Sequence, residues 1–253
     1  MGFFSWITKK SDSVPASSSS SSLEAKLLFE QGMRYYLGEE VSQDVSKARE
    51  LWLSAATQGY AEAQYRLGQL YDYGEDVPMD KQKACEWYMK AAEQGYAEAQ
   101  FIMGNMYANG AGVPQSFSNA LEFYKKAAIQ GLPHAQHLLG RLYYYGKGCS
   151  QDYSEARKWY EKAANQGYAI AQASLGAMYT NAKGVPQDFA KAIDWFNKAV
   201  AQDNAEAQYC LGMLYARGLG VPVNKVKARD LLEKSAEQGF SGAYQALAVM
   251  FDD

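Results

Sequence analysis

The sequence has little of what a metal site, a disulfide framework or a nucleic-acid interface needs. Its 253 residues include two histidines and three cysteines, so neither a set of disulfides nor a multi-ligand zinc site is expected, and no cofactor is predicted. With 25 Lys and Arg against 28 Asp and Glu, the net charge is −3, which argues against the basic face of a nucleic-acid-binding protein. No apolar run reaches about 18 residues, so no transmembrane helix is expected. The few, unpaired thiols favour a reducing compartment, and we expect the cytoplasm.

The first 22 residues differ in composition from the rest. They begin with MGFFSWITKK and continue as a Ser-rich run that ends in six consecutive serines. Such a run cannot bury enough apolar surface to offset the entropy of ordering it, so residues 1–22 are predicted to form a flexible tail. Phe3, Phe4 and Trp6 could provide a weak peripheral membrane contact, and a frayed N-terminus is the alternative.

The rest of the chain repeats itself every 36 residues. Ala-Gln pairs begin at positions 63, 99, 135, 171 and 207, and a fixed period of this length is typical of solenoids and related arrays. We predict a repeat domain over 23–253, with copies that start near 27 and near each of those five positions. A capping helix is predicted at 243–253.

One copy, 61–96, has the pattern of two helices. Apolar and small residues recur at spacings of three and four up to Gly74, where a left-handed helix end is expected. A loop then ends at Asp80, a good N-cap, and a second periodic stretch is closed by Gly95. Each copy is therefore predicted to be an antiparallel helix pair, and the fold class is all-α.

Small and aromatic residues occupy fixed positions in the copies. A glycine inside a helix costs roughly 0.5–1 kcal/mol relative to alanine, so a glycine that recurs in the first helix predicts close approach of a neighbouring helix. We expect the first-helix tyrosines to fill the space between pairs. The recurring glycines and tyrosines are Gly32, Gly68, Gly104, Gly140, Gly176 and Gly212, and Tyr35, Tyr71, Tyr107, Tyr143, Tyr179 and Tyr215.

The repeated unit resembles the Sel1-like repeat, a relative of the tetratricopeptide repeat. The resemblance rests on the pattern A-x-A-Q-x-x-L-G-x-x-Y-x-x-G-x-G-V-P-x-D-x-x-K-A-x-x-W-x-x-K-A-A-x-Q-G, which is clearest in 61–95 and 97–131. It implies a right-handed α/α superhelix of six helix pairs plus a C-terminal capping helix. In the fifth copy, Ala182 replaces a loop glycine and Asp203 replaces the closing glycine.

The resemblance implies a non-catalytic scaffold or adaptor that binds a protein or peptide, and many such proteins are bacterial. Two alternatives stay open. One is an immunity protein that neutralises a toxic effector through the same groove. The other is a β-lactam-binding hydrolase of the cysteine-rich branch of the family, although this chain lacks the paired cysteines of that branch.

In relatives of this family the first helix of each pair lines the concave side of the superhelix, and the resemblance places the binding groove there. The non-core positions of these helices vary between copies, as recognition positions do, and several are tyrosines, which are favoured at interfaces. The alternative is a set of tolerant solvent positions. The predicted partner-binding residues are Tyr65, Arg66, Gln69, Tyr73, Asn105, Asn109, His137, Arg141, Tyr144, Tyr145, Asn181, Tyr209 and Arg217.

The charge of these positions predicts the chemistry of the partner. Arg66, Arg141 and Arg217 outnumber Asp72, and arginine offers a planar pair of donors that suits a carboxylate. We therefore expect the partner to present an acidic segment or a free C-terminal carboxylate. The alternative is that each arginine pairs with a neighbouring surface acid.

His134 is interpreted as a solvated surface residue.

Overall fold

A computed structural model describes residues 17–251, and this part of the chain consists of α-helices without a strand. The described residues fall into two compact units, the first ending at Gln94 and the second beginning at Gly95. The first unit contains α1 Ser17–Leu37, α2 Val45–Thr57, α3 Ala61–Tyr73 and α4 Lys81–Glu93. The second contains α5 Ala97–Asn109, α6 Phe117–Ile129, α7 Pro133–Tyr145, α8 Tyr153–Asn165, α9 Ala169–Thr180, α10 Phe189–Val200, α11 Ala205–Arg217, α12 Lys225–Glu237 and α13 Ser241–Phe251.

Within each unit, every helix packs on the next helix along the chain. In the first unit α1 packs on α2, α2 on α3 and α3 on α4. In the second the same order runs from α5 to α13, and α9 also contacts α11 directly. Short connections between packed neighbours make successive helices antiparallel. The predicted all-α solenoid architecture, a run of stacked helix pairs, is confirmed. The right-handed superhelical sense stays a prediction.

The ends of the helices lie where the sequence predicts them. Asp80 caps α4 by accepting hydrogen bonds from the backbone N–H groups of Gln82 and Lys83, and the equivalent residues cap α2, α6, α8, α10 and α12. Gly74 ends α3 in the left-handed conformation, with φ of 73°. These caps satisfy backbone groups that a helix end otherwise leaves without a partner. Most helices therefore begin and end at equivalent positions of their copies, apart from the earlier start of α1 and the ends of α9 and α10, which come one residue early.

Two residues that replace glycines adopt the backbone conformation of the glycines. Ala182 has φ of 54° and Asp203 has φ of 58°, in the left-handed region that a side chain disfavours. The fifth copy therefore keeps the path of the others at some cost in backbone strain.

The recurrent first-helix glycine is a close-contact position. A Cβ placed on Gly104 would lie 2.5 Å from Cδ1 and Cε1 of Tyr124 on α6. The same contact recurs in each pair, with a ring at the equivalent position of the second helix except for Leu232 in the last. The predicted close approach is confirmed. The pairs are Gly32–Trp52, Gly68–Tyr88, Gly104–Tyr124, Gly140–Tyr160, Gly176–Phe196 and Gly212–Leu232.

The first-helix tyrosines pack against the buried clusters, as expected, but they are not themselves fully buried. Tyr71 and Tyr107 are only half-buried, whereas Tyr88 and Tyr124 on the second helices are buried. The glycine explains the difference, because removing a Cβ from the first helix lets the second-helix ring lie flat against its backbone. The first-helix tyrosines lie instead at the edges of the buried clusters.

Helix α1 begins earlier than expected. It starts at Ser17, so the boundary of the predicted tail at residue 22 is wrong by six residues. Serine is a middling helix former, and extending an existing helix adds one hydrogen bond per residue. Residues 1–16, with the predicted aromatic anchor, lie outside the described residues. At the other end, α13 begins at Ser241, and its Ala243 and Ala246 pack against α12 as the predicted cap.

Candidate functional site

The second unit has a pocket of about 420 Å³ between the first helices α5 and α7. We call it the α5/α7 pocket. Four of the predicted binding residues line it: Asn105 and Asn109 from α5, and Arg141 and Tyr145 from α7. Loop and second-helix residues also line the pocket, and the spacing of residues along the first helices does not predict them. The full lining is Asn105, Ala108, Asn109, Gln115, Phe117, Tyr124, Leu138, Arg141, Leu142, Tyr145 and Lys147.

A hydrogen bond inside the pocket fixes the orientation of Asn105. The hydroxyl of the buried Tyr124 donates to Oδ1 of Asn105 over 2.7 Å. Burial raises the pKa of Tyr124, and the nearby Arg141 only partly offsets this, so the hydroxyl keeps its proton. With the Asn105 oxygen occupied, its Nδ2 amino group is the end that can donate to a ligand.

The charged groups of the α5/α7 pocket are both cationic. Arg141 is exposed, and Lys147 lies with its Nζ 5.0 Å from the centre of the Phe117 ring. No Asp or Glu is among the lining residues. Arg141 does influence one acid outside the pocket, Glu206 on α11, whose pKa is raised by burial and partly lowered again by Arg141. The pocket therefore offers a set of hydrogen-bond donors with positive charge.

The alternative that each arginine is neutralised by a surface acid is not supported. Among the described residues, none of the ion pairs involves Arg66, Arg141 or Arg217. Asp72, the acid counted against them, pairs instead with Lys81, whose Nζ lies 2.8 Å from its Oδ1. Arg141 and Arg217, which are both exposed, are thus available to an external anion, whereas Arg66 is half-buried and donates to Gln69.

A second, smaller pocket of about 180 Å³ lies between α9 and α11. We call it the α9/α11 pocket. It brings together three more predicted residues, Asn181, Tyr209 and Arg217. Most of its lining is apolar, and the full set is Ala177, Thr180, Asn181, Phe196, Tyr209, Cys210, Met213, Leu214, Arg217 and Leu219.

Tyr144 was predicted to contact the partner, but its ring packs against other tyrosines of this chain. Its ring is half-buried and packs edge-on against Tyr145, with centroids 4.9 Å apart, and against Tyr153, with centroids 5.0 Å apart. Its position corresponds to Ala108 and Thr180, two small residues that line the two pockets. Tyr144 therefore fills the space that the small residues leave open.

The prediction that His137 faces the groove as a binding residue is wrong. The side chain is 5% exposed and stacks on the Tyr160 ring with centroids 5.4 Å apart. Its Nε2 lies 3.4 Å from the hydroxyl of Ser174. Burial lowers the pKa of His137 to about 4, with smaller contributions from the charges of Arg141 and His134. At neutral pH it is an uncharged core ring.

His134 is exposed, as predicted, but it also contacts aromatic rings. Its ring centroid lies 4.7 Å from that of Tyr168. Its role is therefore packing at the surface edge of the helix pair.

The predicted residues of the first unit form a network of their own on α3. Nε2 of Gln69 donates to the Tyr65 hydroxyl over 3.1 Å, and Nη1 of Arg66 donates to Oε1 of Gln69 over 3.1 Å. Tyr73, also on α3, is 71% exposed.

The second helices carry lysines that cover aromatic rings. Nζ of Lys162 lies 4.0 Å from the Trp159 ring centre, and Nζ of Lys198 lies 4.0 Å from that of Trp195. Such cation–π contacts hold the lysine against its own helix. The second-helix face is thus engaged internally, which leaves the first-helix pockets as the candidate site.

The pKa values of two cysteine thiols are shifted in the direction that makes a thiol less reactive. Burial raises the pKa of the Cys210 thiol to about 12, and it also raises the pKa of the half-buried Cys149 thiol. A nucleophilic cysteine needs a lowered pKa.

In the part of the chain that the structure describes, no three His, Cys, Asp or Glu side chains are grouped closely enough to hold a metal ion. None of the described helices combines the length and the apolar composition needed to cross a membrane.

The sequence was compared with protein families and with curated proteins. The profile of the family described as Sel1 repeat matches six consecutive segments, 28–60, 61–96, 97–132, 133–168, 169–204 and 205–240. These segments correspond to the six helix pairs. A search of the curated proteins finds no significant match.

Two solved structures that are at least 30% identical share the fold of this chain. A protective antigen of uropathogenic Escherichia coli with an SLR fold is 35% identical, with a TM-score of 0.83 over 90% of this chain and 49% of that one. This chain therefore spans about half the length of that antigen. A Sel1 repeat protein from Oxalobacter formigenes is 31% identical, with a TM-score of 0.74 and 86% of each chain covered. An immunity protein from Pseudomonas aeruginosa is 27% identical over 91% of this chain and 84% of that one, with a TM-score of 0.47.

Proposed function

Because this chain belongs to the Sel1 repeat family, a repeat fold typical of protein–protein interaction, we propose that it is a non-catalytic interaction module. It binds an extended segment of a partner protein on its first-helix face. The partner contributes carboxylate groups, from an acidic segment or from a free C-terminus. The module acts as a scaffold or adaptor in the cytoplasm.

The observation that carries the proposal is the α5/α7 pocket. It places the Arg141 guanidinium, the Lys147 ammonium and the oriented Asn105 amide around one cavity without a lining carboxylate. A carboxylate can accept from two donors of an arginine at once, and such charge-assisted hydrogen bonds are roughly twice as strong as neutral ones. Tyr145 adds a flat and largely exposed ring at the rim, which suits contact with a peptide at low entropic cost.

The state of the reactive groups supports a non-catalytic role. General acid–base catalysis needs a group whose pKa lies near the working pH. His137 is held well below that range and is enclosed by Tyr160 and Tyr168. The Cys210 thiol is held well above it. The two alternatives from the sequence, an immunity protein and a β-lactam-binding hydrolase, stay predictions that no arrangement of the described residues favours.

The proposal can be tested without knowledge of the natural partner. A display library of random 14-residue peptides is selected on the full chain, and affinities of the recovered peptides are measured by fluorescence anisotropy. We expect acidic residues to be enriched, and the double variant Arg141→Ala/Tyr145→Ala to lose at least about tenfold in affinity, about 1.4 kcal/mol, with an unchanged melting temperature.

Matched variants on the second helices serve as the control. Lys90→Ala and Lys126→Ala remove exposed lysines that lie over Trp87 and Phe123, and we expect each to bind the selected peptides as the wild type does. Full affinity in the double variant, or a loss confined to the lysine variants, would place the binding site on the other face. Recovery of no binder from the library would contradict the interaction role itself.

A further inference from the structure

The two pockets are equivalent positions of the repeat, two copies apart. Adding 72 to the number of a residue that lines the α5/α7 pocket gives, in most cases, a residue that lines the α9/α11 pocket. Asn109 corresponds to Asn181, for example, and Tyr124 to Phe196. The backbone therefore builds the same cavity twice, and the side chains decide what each cavity accepts.

Three substitutions between the copies change the chemistry of the cavity. The position of Arg141 is held by Met213, that of Asn105 by Ala177 and that of Lys147 by Leu219 in the α9/α11 pocket. Each replaces a polar or cationic group by an apolar one. The α5/α7 pocket thus fits a carboxylate, whereas the α9/α11 pocket fits an apolar side chain.

Several polar groups also line the α9/α11 pocket, and they leave its character mainly apolar. Thr180 uses its hydroxyl to donate to the Gly176 carbonyl over 2.9 Å. Burial raises the pKa of Cys210, so its thiol stays neutral and behaves as a small apolar group. Arg217 is exposed and provides one charge at the rim.

The intervening copy separates the two cavities. Tyr144 fills the equivalent space between α7 and α9 through its contacts with Tyr145 and Tyr153. A bound chain would therefore cross a filled ridge between one open pocket and the next. Its side chains over the ridge have no cavity to enter and are free to vary.

The distance between the pockets sets the spacing of the ligand. Helices α9 and α11 pack directly on each other, and packed helices lie about 8–10 Å apart. Taken as the spacing of successive first helices, this value puts the two pockets roughly 16–20 Å apart. An extended chain advances about 3.3 Å per residue, so five or six residues span the two pockets.

We propose that the partner segment is extended and carries two anchors, an Asp or Glu side chain in the α5/α7 pocket and an apolar side chain in the α9/α11 pocket, five or six residues apart. This rests on the proposed function and specifies the ligand of the same face. We commit to a side-chain carboxylate because a cavity of about 420 Å³ has room for a whole acidic side chain, beyond a terminal carboxylate alone.

The test uses an array of synthetic peptides with acetylated N-termini and amidated C-termini. Each contains one Glu and one Leu in a Gly/Ser/Ala background, in both orders, at separations from two to ten residues. We expect binding of the full chain to peak at five or six residues and for one of the two orders. A separate set with free C-termini and without Glu covers the alternative source of the carboxylate.

Because the two pockets are built at equivalent positions, two of their lining residues can be exchanged without changing the amino-acid composition of the protein. In the double variant Arg141→Met/Met213→Arg the two cavities exchange their deciding residues. We expect the preferred order of Glu and Leu to reverse at the same separation, with an unchanged helical circular-dichroism signal. If the swapped protein fails to fold, the single variant Arg141→Gln is used, and its preference for the Glu peptide over the Gln counterpart should be weaker than that of the wild type, because Lys147 is then the one cation lining the pocket.

Several outcomes would overturn the two-anchor proposal. They are binding that does not depend on the separation, equal binding of both orders, an order that the swap leaves unchanged, and binding only of the free C-terminal set. Lack of binding by every peptide of the array would also overturn it. The random library decides the interaction role independently, because peptides selected there can depend on Arg141 without a second anchor.

Discussion

Gln166 donates a hydrogen bond from its Nε2 to Oε1 of Gln136 over 2.8 Å, across 30 residues of sequence. The same amide reaches the Gly131 carbonyl at 2.9 Å, and Nε2 of the buried Gln136 donates to the Ala128 carbonyl at 3.1 Å. Gln136 thus ties the end of α6 to α7 and to the end of α8. The same link joins Gln64–Gln94, Gln100–Gln130, Gln172–Gln202 and Gln208–Gln238.

This link predicts a cost for removing the buried glutamine. Gln136→Leu keeps the volume but removes both of its hydrogen bonds, so we expect the free energy of unfolding to fall by about 1–2 kcal/mol. Urea denaturation followed by circular dichroism measures it. Gln151→Leu is the control, because the exposed Gln151 makes a hydrogen bond of 2.8 Å to the Tyr144 carbonyl and should change stability by less than about 0.5 kcal/mol. Equal effects of both changes would mean that the link contributes nothing specific.

The contact between Gly104 and Tyr124 predicts a graded response to one added methyl group. Gly104→Ala places a Cβ 2.5 Å from the ring, and overpacking of this kind costs about 1–3 kcal/mol. Gly212→Ala meets Cγ of Leu232 at 3.1 Å and the carbonyl oxygen of Ala228 at 3.2 Å, contacts that need a shift of only a few tenths of an ångström, so we expect a smaller loss. Thermal melting compares the two. In the double variant Gly104→Ala/Tyr124→Leu we expect partial recovery, and a Gly104→Ala protein as stable as the wild type would rule out the close contact.

The sequence predicts the fold well because the period repeats local signals. The caps at Asp80 and Gly74 and the recurrent glycines each indicate one local structure, and six copies in register support one another. The period does not say which of two tyrosine positions is buried. That depends on the ring of Tyr124 reaching the bare backbone of Gly104, a contact between two helices that a pattern within one helix does not reveal.

The buried His137 predicts a pH dependence of stability. Its pKa is about 4 in the folded protein against 6.5 for an ordinary histidine. The contribution of the neutral His137 ring to the free energy of unfolding is therefore complete above pH 6.5. It is lost as the pH falls from 6.5 towards 4, because the histidine of the unfolded chain binds a proton at a higher pH than that of the folded protein. Phenylalanine occupies the equivalent position 101. Replacing His137 by phenylalanine removes the pH dependence of stability that the histidine causes.

We expect the free energy of unfolding of the wild type to fall between pH 7 and pH 4.5 by about 2–3 kcal/mol more than that of His137→Phe, at 1.36 kcal/mol per pH unit. Urea denaturation at the two pH values measures the difference. The His134→Phe variant, altered at an exposed histidine, should keep the pH dependence of the wild type. Parallel pH profiles for the wild type and His137→Phe would contradict the buried, neutral state of the ring.

The candidate site was predicted in part. Asn105, Asn109, Arg141 and Tyr145 line one pocket as the repeat positions suggested, because spacing along a helix determines which residues share a face. Whether a face is open depends on neighbouring copies. His137 shares the face but is covered by Tyr160 and Tyr168, rings that are contributed from other helices.

The proposed function depends on the selection of carboxylates by Arg141 in the α5/α7 pocket. The most direct measurement is the affinity of the wild type and of Arg141→Glu for a library-selected acidic peptide and for the same peptide with Lys at the acidic positions. Lys126→Glu, the same charge change on a second helix, is the control. We predict at least about tenfold preference for the acidic peptide in the wild type and in the control, and a reversed preference in Arg141→Glu. An unchanged preference in Arg141→Glu would contradict the account.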